Sequence, residues 1–334
     1  MEIKRKSLQC LLIGTILLDV IGCIIVVRYR HRIASEIDKI VFYCNEMSRN
    51  KDLERINALP KLIDEPGEWY CEYKVIAHGG GGIEGKTCTN SREGVELAYV
   101  NGTRLFDIDI MQTSDSIWVC RHGWKDNIEQ EPNIRVGAYR IFQLDIQSER
   151  FHLPDDVPIT NRSYEQFVQI KPFHKYSPIS LDDFIEFMIC HTDVWMICDF
   201  GNNAVSIYKD LYNSKFVHLQ QNVFNRIVIS FNKYEEVELL RSINPDVKLH
   251  MKRYDMSNEN YYDVVQFCTN NNIHALNLSV NNIDDEGIKY IRSRGIHVFF
   301  AVVDYLSDYL YCIEQGAYGI VSNFLFENDL KLLE

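Results

Sequence analysis

From residue 73 onward the chain alternates between short apolar runs and longer stretches whose apolar residues recur three and four positions apart. The runs at 73–77, 105–110, 117–120, 194–198, 226–230, 247–251, 274–279, 298–303 and 318–321 predict strands. The stretches at 91–99, 181–189, 234–242, 261–270, 284–292 and 307–315 predict helices. Strand and helix in turn favour a parallel sheet covered by helices, and the expected fold is an α/β TIM (β/α)8 barrel. A barrel needs eight strands, so one of the nine runs lies outside it, and 247–251 is the expected outlier. The interval 124–178 is too long for a βα loop and predicts an insertion beside the barrel mouth, with runs at 142–146 and 167–170 forming a small added sheet.

The first third has a different pattern. Residues 8–27 are almost wholly Leu, Ile, Val, Gly and Cys, long enough for the ~30 Å of a bilayer's hydrocarbon. They predict a single-pass transmembrane anchor spanning residues 1–32 with its basic flanks. Arg28, Arg30 and Arg32 stand where a cleaved signal would need small residues. Lys4, Arg5 and Lys6 precede the span, so the positive-inside bias nearly cancels, and the extracytoplasmic side is the expected one for the soluble part. Asp19 lies mid-span, where a carboxylate costs ~2.5 to 3.5 kcal/mol. It is either protonated and tolerated or pairs with a second copy, making a homo-oligomer through the anchor. Ile33, Ile37, Ile40, Val41 and Cys44 predict a juxtamembrane helical segment over 33–68, ended by Pro66-Gly67. The barrel domain is then 69–334.

Charge narrows the partners. The 334 residues carry a formal net charge of -12, and no basic stripe occurs outside the first 32 residues, which argues against nucleic acid. The 10 cysteines show no CxxC or Cys/His zinc spacing, and Cys120, Cys190, Cys198 and Cys268 fall in apolar runs expected to bury them as free thiols.

Four runs end on residues able to bind a metal or move a proton: His78, the pair Asp107 and Asp109, Cys120-Arg121-His122, and Cys198-Asp199. A core strand gains nothing from a terminal charge, so the repetition points to one shared site. Residues i and i+2 of a strand face one way, so Asp107 and Asp109 face the barrel interior if Ile108 and Ile110 face the helices. The alternative is a half-exposed strand with both acids in water. Converging carboxylates repel, and Ca²⁺ or Mg²⁺ held by Asp107, Asp109 and Asp199 would keep them ionised. His78 and His122, ending the first and third strands, could divide proton transfer as catalytic acid and base. Gly79 and Gly80 open a glycine run that either lets backbone amides approach an anion or is only a turn. Asn90 either donates to a phosphoryl oxygen or caps the following helix.

The ordered motifs resemble the glycerophosphodiester phosphodiesterases, which share a barrel plan with the phosphatidylinositol-specific phospholipases C. The places that match are Ala77-His78-Gly79-Gly80, Thr89-Asn90-Ser91, Asp107-Ile108-Asp109, Arg121-His122-Gly123, Ser180-Leu181-Asp182-Asp183-Phe184, Cys198-Asp199-Phe200 and the closing Gly316 to Asn323, over residues 73–326. The resemblance implies a metal-dependent phosphoric diester hydrolase acting on a glycerophosphodiester or related lipid headgroup, here carried by the anchor expected at 8–27. Asn90 resembles the family's Asn near the phosphate, and Gly79, Gly80, Asn90 and Arg121 are the candidate substrate-binding residues. Three departures stand out. Gly79 replaces the family's Arg, Asp107 its Glu, and Phe200-Gly201 the Lys-bearing end of a strand, leaving Arg121 or Lys252 to supply positive charge. Three alternatives remain open: a catalytically inactive anchored barrel serving as a binding or scaffold module, a lyase that stops at a cyclic phosphate, and an unrelated sugar-acting barrel that uses an Asp pair as acid and base without a metal.

Overall fold

In the computed structural model the described residues are 59–62, 67–122, 162–169, 171–200, 204–213, 221–253, 260–279, 283 and 285–331. The expected anchor at 8–27, most of the segment 33–68 and the run 142–146 lie outside them. Among the described residues no helix is long and apolar enough to cross a membrane.

The strands are β1 (Val75–Ala77), β2 (Leu105–Gln112), β3 (Trp118–Cys120), β4 (Trp195–Asp199), β5 (Ile227–Phe231), β6 (Lys248–Arg253), β7 (Ala275–Leu278), β8 (His297–Ala301) and β9 (Gly319–Ser322). All but β3 pair in parallel, and the sheet closes because β1 pairs with both β9 and β2. This is an eight-stranded α/β barrel of the TIM type. The helices Arg92–Val100, Leu181–Cys190, Tyr234–Ile243, Tyr261–Asn270, Asp285–Ser293 and Leu306–Glu314 fall where periodicity predicts, and Ala204–Tyr212 adds one between β4 and β5.

The extra strand is β3, not 247–251. β2 overshoots the barrel rim, turns at Thr113, whose amide donates to Ile117 O at 2.9 Å, and β3 returns antiparallel with Ile110 opposite Cys120. β3 reads as a strand because Val119 and Cys120 are buried, with Cys120 N donating to Ile179 O at 3.0 Å. The segment 247–251 belongs to β6, and its inward residues Lys248, His250 and Lys252 give it the look of a solvated strand. Of the run 167–170, the described residues 167–169 form no strand either. Phe167 lies in the helix Tyr164–Val168, which the Ser163 and Gln166 capping box starts. Cys120, Cys198 and Cys268 are buried free thiols as expected, but Cys190, at the last position of its helix, is exposed.

Period-two alternation sorts each strand into two cores. On β2, Phe106, Ile108 and Ile110 pack outward against the helices, Phe106 meeting the Phe184 ring at 5.8 Å between centroids. Leu105 faces inward with Ile76, Ile197, Val228, Phe299 and Val321, and Trp69 and Tyr70 join this inner cluster. Each such side chain contributes roughly 1.5 to 3 kcal/mol on burial. The inner apolar layer fills the barrel below its mouth, so polar residues further along the same inward faces emerge together above it. A buried carboxylate ties the two ends of the domain: Glu327 Oε1 accepts from Lys74 N at 2.5 Å and Val75 N at 2.7 Å.

Candidate active site at the barrel mouth

His78 follows β1 and begins a tight turn, His78–Gly80. Gly79 holds φ 51°, and a Cβ there would stand 2.3 Å from Cys88 Sγ and 2.8 Å from Cys88 Cα. The arginine that the resembled family carries at this place therefore has no room in this loop. Gly82 is crowded in the same way. Its amide donates to Asn323 O at 2.6 Å, and a Cβ would meet Phe324 Cε1 at 2.5 Å.

The hydrogen-bond chain behind His78 fixes its tautomer. Asn323 Nδ2 donates to Asp304 at 3.0 and 3.3 Å, while Asn323 Oδ1 accepts from Cys88 N at 2.8 Å. The amide orientation is thus set from both ends, and the same Oδ1 lies 3.1 Å from His78 Nδ1. An amide oxygen only accepts, so Nδ1 carries the proton and a neutral ring keeps its lone pair on Nε2. Asp304 is further bonded by Asn323 N at 2.7 Å and Ser322 Oγ at 3.2 Å. Desolvation pushes its carboxyl above the usual range, and the Asn323 hydrogen bonds oppose that rise.

The acids do face the interior, as the alternation with Ile108 and Ile110 predicts, but they do not assemble as a metal-ligand set. Asp107 and Asp199 are joined by the Lys252 ammonium, which lies 3.3 Å from both oxygens of Asp107 and 2.6 Å from Asp199 Oδ2. The Lys252 and Asp107 side chains are 4% and 3% exposed, and Asp199 24%. Burial, then the nearby Asp199 and Asp109, pushes the Asp107 carboxyl up to about 6, and Lys252 pulls the other way. Asp109 is engaged elsewhere: Asn90 Nδ2 donates to its Oδ2 at 2.7 Å and Cys88 Sγ at 3.2 Å. Among the described residues no group of three or more His, Cys, Asp or Glu is placed to hold a metal ion. A lysine already neutralises the pair, while an amide and a thiol both bond Oδ2 of the third acid.

Asn90 is therefore a partner of Asp109. The helix Arg92–Val100 is capped by Ser91, whose side chain accepts from Gly94 N. Arg121 is buried, and its amide donates to Asp109 O at 2.8 Å, which places it at the same rim. His122 follows it and is exposed. It follows the returning arm of a hairpin, so the expectation of two imidazoles ending flanking barrel strands is replaced by one imidazole just after β1 and one on the rim.

Sequence reading missed Asp304, the role of Asn323, and Cys88, whose contribution depends on a left-handed backbone at φ 48°. It also passed over His250, buried below Lys252 with Ser230 Oγ at 3.1 Å and Asn277 Oδ1 at 2.9 Å. The Lys-x-His-x-Lys alternation in β6 was the available signal, because charged residues at every second position of a strand flanked by βα units must point inward.

No family model and no curated protein matches the sequence. Solved structures do. A phosphodiesterase of Oleispira antarctica in complex with the product sn-glycerol-3-phosphate shares 14% identity, covering 78% of this chain and 97% of its own, at a TM-score of 0.57. A glycerophosphoryl diester phosphodiesterase of Parabacteroides distasonis shares 16%, covering 84% and 91%, also at 0.57. A glycerophosphodiester phosphodiesterase of Thermotoga maritima shares 14%, covering 79% and 99%, at 0.54. The chain thus has the fold of glycerophosphodiester phosphodiesterases over nearly the whole length of those structures.

Proposed function

We propose that the barrel mouth is the active site of a phosphoric diester hydrolase acting on a glycerophosphodiester or a related lipid headgroup. The observation that carries this reading is the His78–Asn323–Asp304 chain, which leaves His78 Nε2 as a base at the mouth of a fold shared with such enzymes. His78 takes the proton of the attacking hydroxyl, either a neighbouring hydroxyl of the substrate or water, as the new P–O bond forms. His122 on the rim hairpin returns a proton to the leaving oxygen. Gly79 and Gly80 let the turn after His78 pack closely on Cys88 and Val95, and Asn90 and Arg121 border Asp109 at the same rim. No step is assigned to a divalent cation, because the ligand set expected for it is already paired with Lys252, Asn90 and Cys88. The apolar segment 8–27 would hold the mouth close to membrane headgroups.

The test uses the full chain in mild detergent with glycerophosphocholine, glycerophosphoethanolamine and glycerophosphoinositol, following products by phosphorus NMR. Turnover is expected, and His78→Gln should reduce it by about 10²- to 10⁴-fold, the size of a general acid or base contribution. Turnover unchanged in His78→Gln rejects the assignment. No turnover by the parent favours the scaffold alternative, and a persistent cyclic phosphate the lyase.

A further inference from the structure

We infer that the resident cation of this mouth is the Lys252 ammonium, and that it excludes a divalent metal from the acids around it. A lysine on an inward position of β6 has to cross the barrel interior, and burying its charge is costly unless opposite charges meet it. Here they do: Nζ sits between Asp107 on β2 and Asp199 on β4, within 2.6 to 3.3 Å of three carboxylate oxygens. These are two of the acids that would hold a metal, so a divalent ion placed on them would meet a like charge at contact distance and leave Lys252 buried beside it.

Two further observations agree. Asp109 is held apart from the pair by Asn90 and Cys88, so the acids left facing each other are the two that Lys252 already joins. Below Lys252, His250 is buried between Ser230 and Asn277 rather than turned toward the acids. The lysine that the resembled family carries after the fourth motif is absent here at Gly201. Lys252, from β6, is the lysine that occupies the position between the acids.

This deepens the phosphodiesterase reading of the same mouth, but its readout is cation binding and stands without any turnover. The full chain in mild detergent is titrated with Mn²⁺, and bound ion is followed by loss of the free-ion electron paramagnetic resonance signal. The parent should bind no more Mn²⁺ than Asp107→Asn/Asp199→Asn does. Lys252→Met should gain a saturable site at least roughly tenfold tighter than any in the parent, as expected when a like charge leaves. That site should vanish when Asp107→Asn is added. One saturable site in the parent that the double Asn variant loses overturns the inference, as does a folded Lys252→Met that gains none. Should Lys252→Met fail to fold, the comparison of the parent with the double Asn variant decides alone.

Discussion

His250 makes the pH dependence of stability a direct readout of the barrel interior. Burial first, and then the charge of Lys252, push its imidazole down from 6.5 to about 3. In the unfolded chain the ring titrates near its ordinary value. As pH falls below 6.5 the unfolded state takes up a proton that the folded state refuses, so stability present above that pH is lost on the way down to about 3. Between about pH 7.5 and about pH 5 the loss is about 2 kcal/mol from this group alone. Asp107 acts in the opposite sense. Its carboxyl is raised from 3.8 to about 6, so the folded state gains a proton first on acidification and recovers about 1 kcal/mol by pH ~5. The parent's own curve is therefore shallow, and the informative quantity is its difference from His250→Asn. The cavity and hydrogen-bond costs of that substitution do not depend on pH, and Asp107 titrates in both proteins. Urea denaturation of the two at a series of pH values should show the parent's advantage shrinking by about 2 kcal/mol from pH ~7.5 to pH ~5. An advantage that stays constant, or grows on acidification, would refute a buried neutral imidazole.

Two further outcomes follow from the packing. Glu327→Ala leaves the Lys74 and Val75 amides buried without their acceptor, and should cost about 2 to 4 kcal/mol in urea denaturation because both ends of the domain lose their tie. Gly79→Ala places a methyl group against Cys88 at a left-handed φ, and should lower the thermal midpoint and phosphodiester turnover together, whereas a fall in neither would show that the loop yields freely.

The barrel was legible because its strands and helices obey different periods, and the inward alternation of Asp107 and Asp109 with Ile108 and Ile110 fixed which face carries chemistry. Assigning strands to the barrel was harder. The expectation placed 117–120 inside and 247–251 outside, whereas pairing direction decides, and that depends on the turn after Gln112. The site was legible as a set of residues but not as a set of contacts. Nothing local to Lys252 says that it reaches Asp107, 145 positions earlier in the chain. Asn323 could be noticed as a motif position, but its partnership with Asp304 exists only once β8 and β9 lie side by side.

The β2–β3 hairpin also governs how the rim can diversify. The chain leaves the described rim at His122 and returns at Arg162, whose carbonyl accepts from Ser114 N at 2.8 Å, while Tyr164 N donates to Asp115 at 2.9 Å. Departure and return both lie on one hairpin, outside the closed ring of parallel pairs. Insertions, deletions or wholesale replacement between those two points shift no barrel register, and loop closure charges little for added length. The sequence between those two points can therefore change while His78, Lys252 and the acids keep their places.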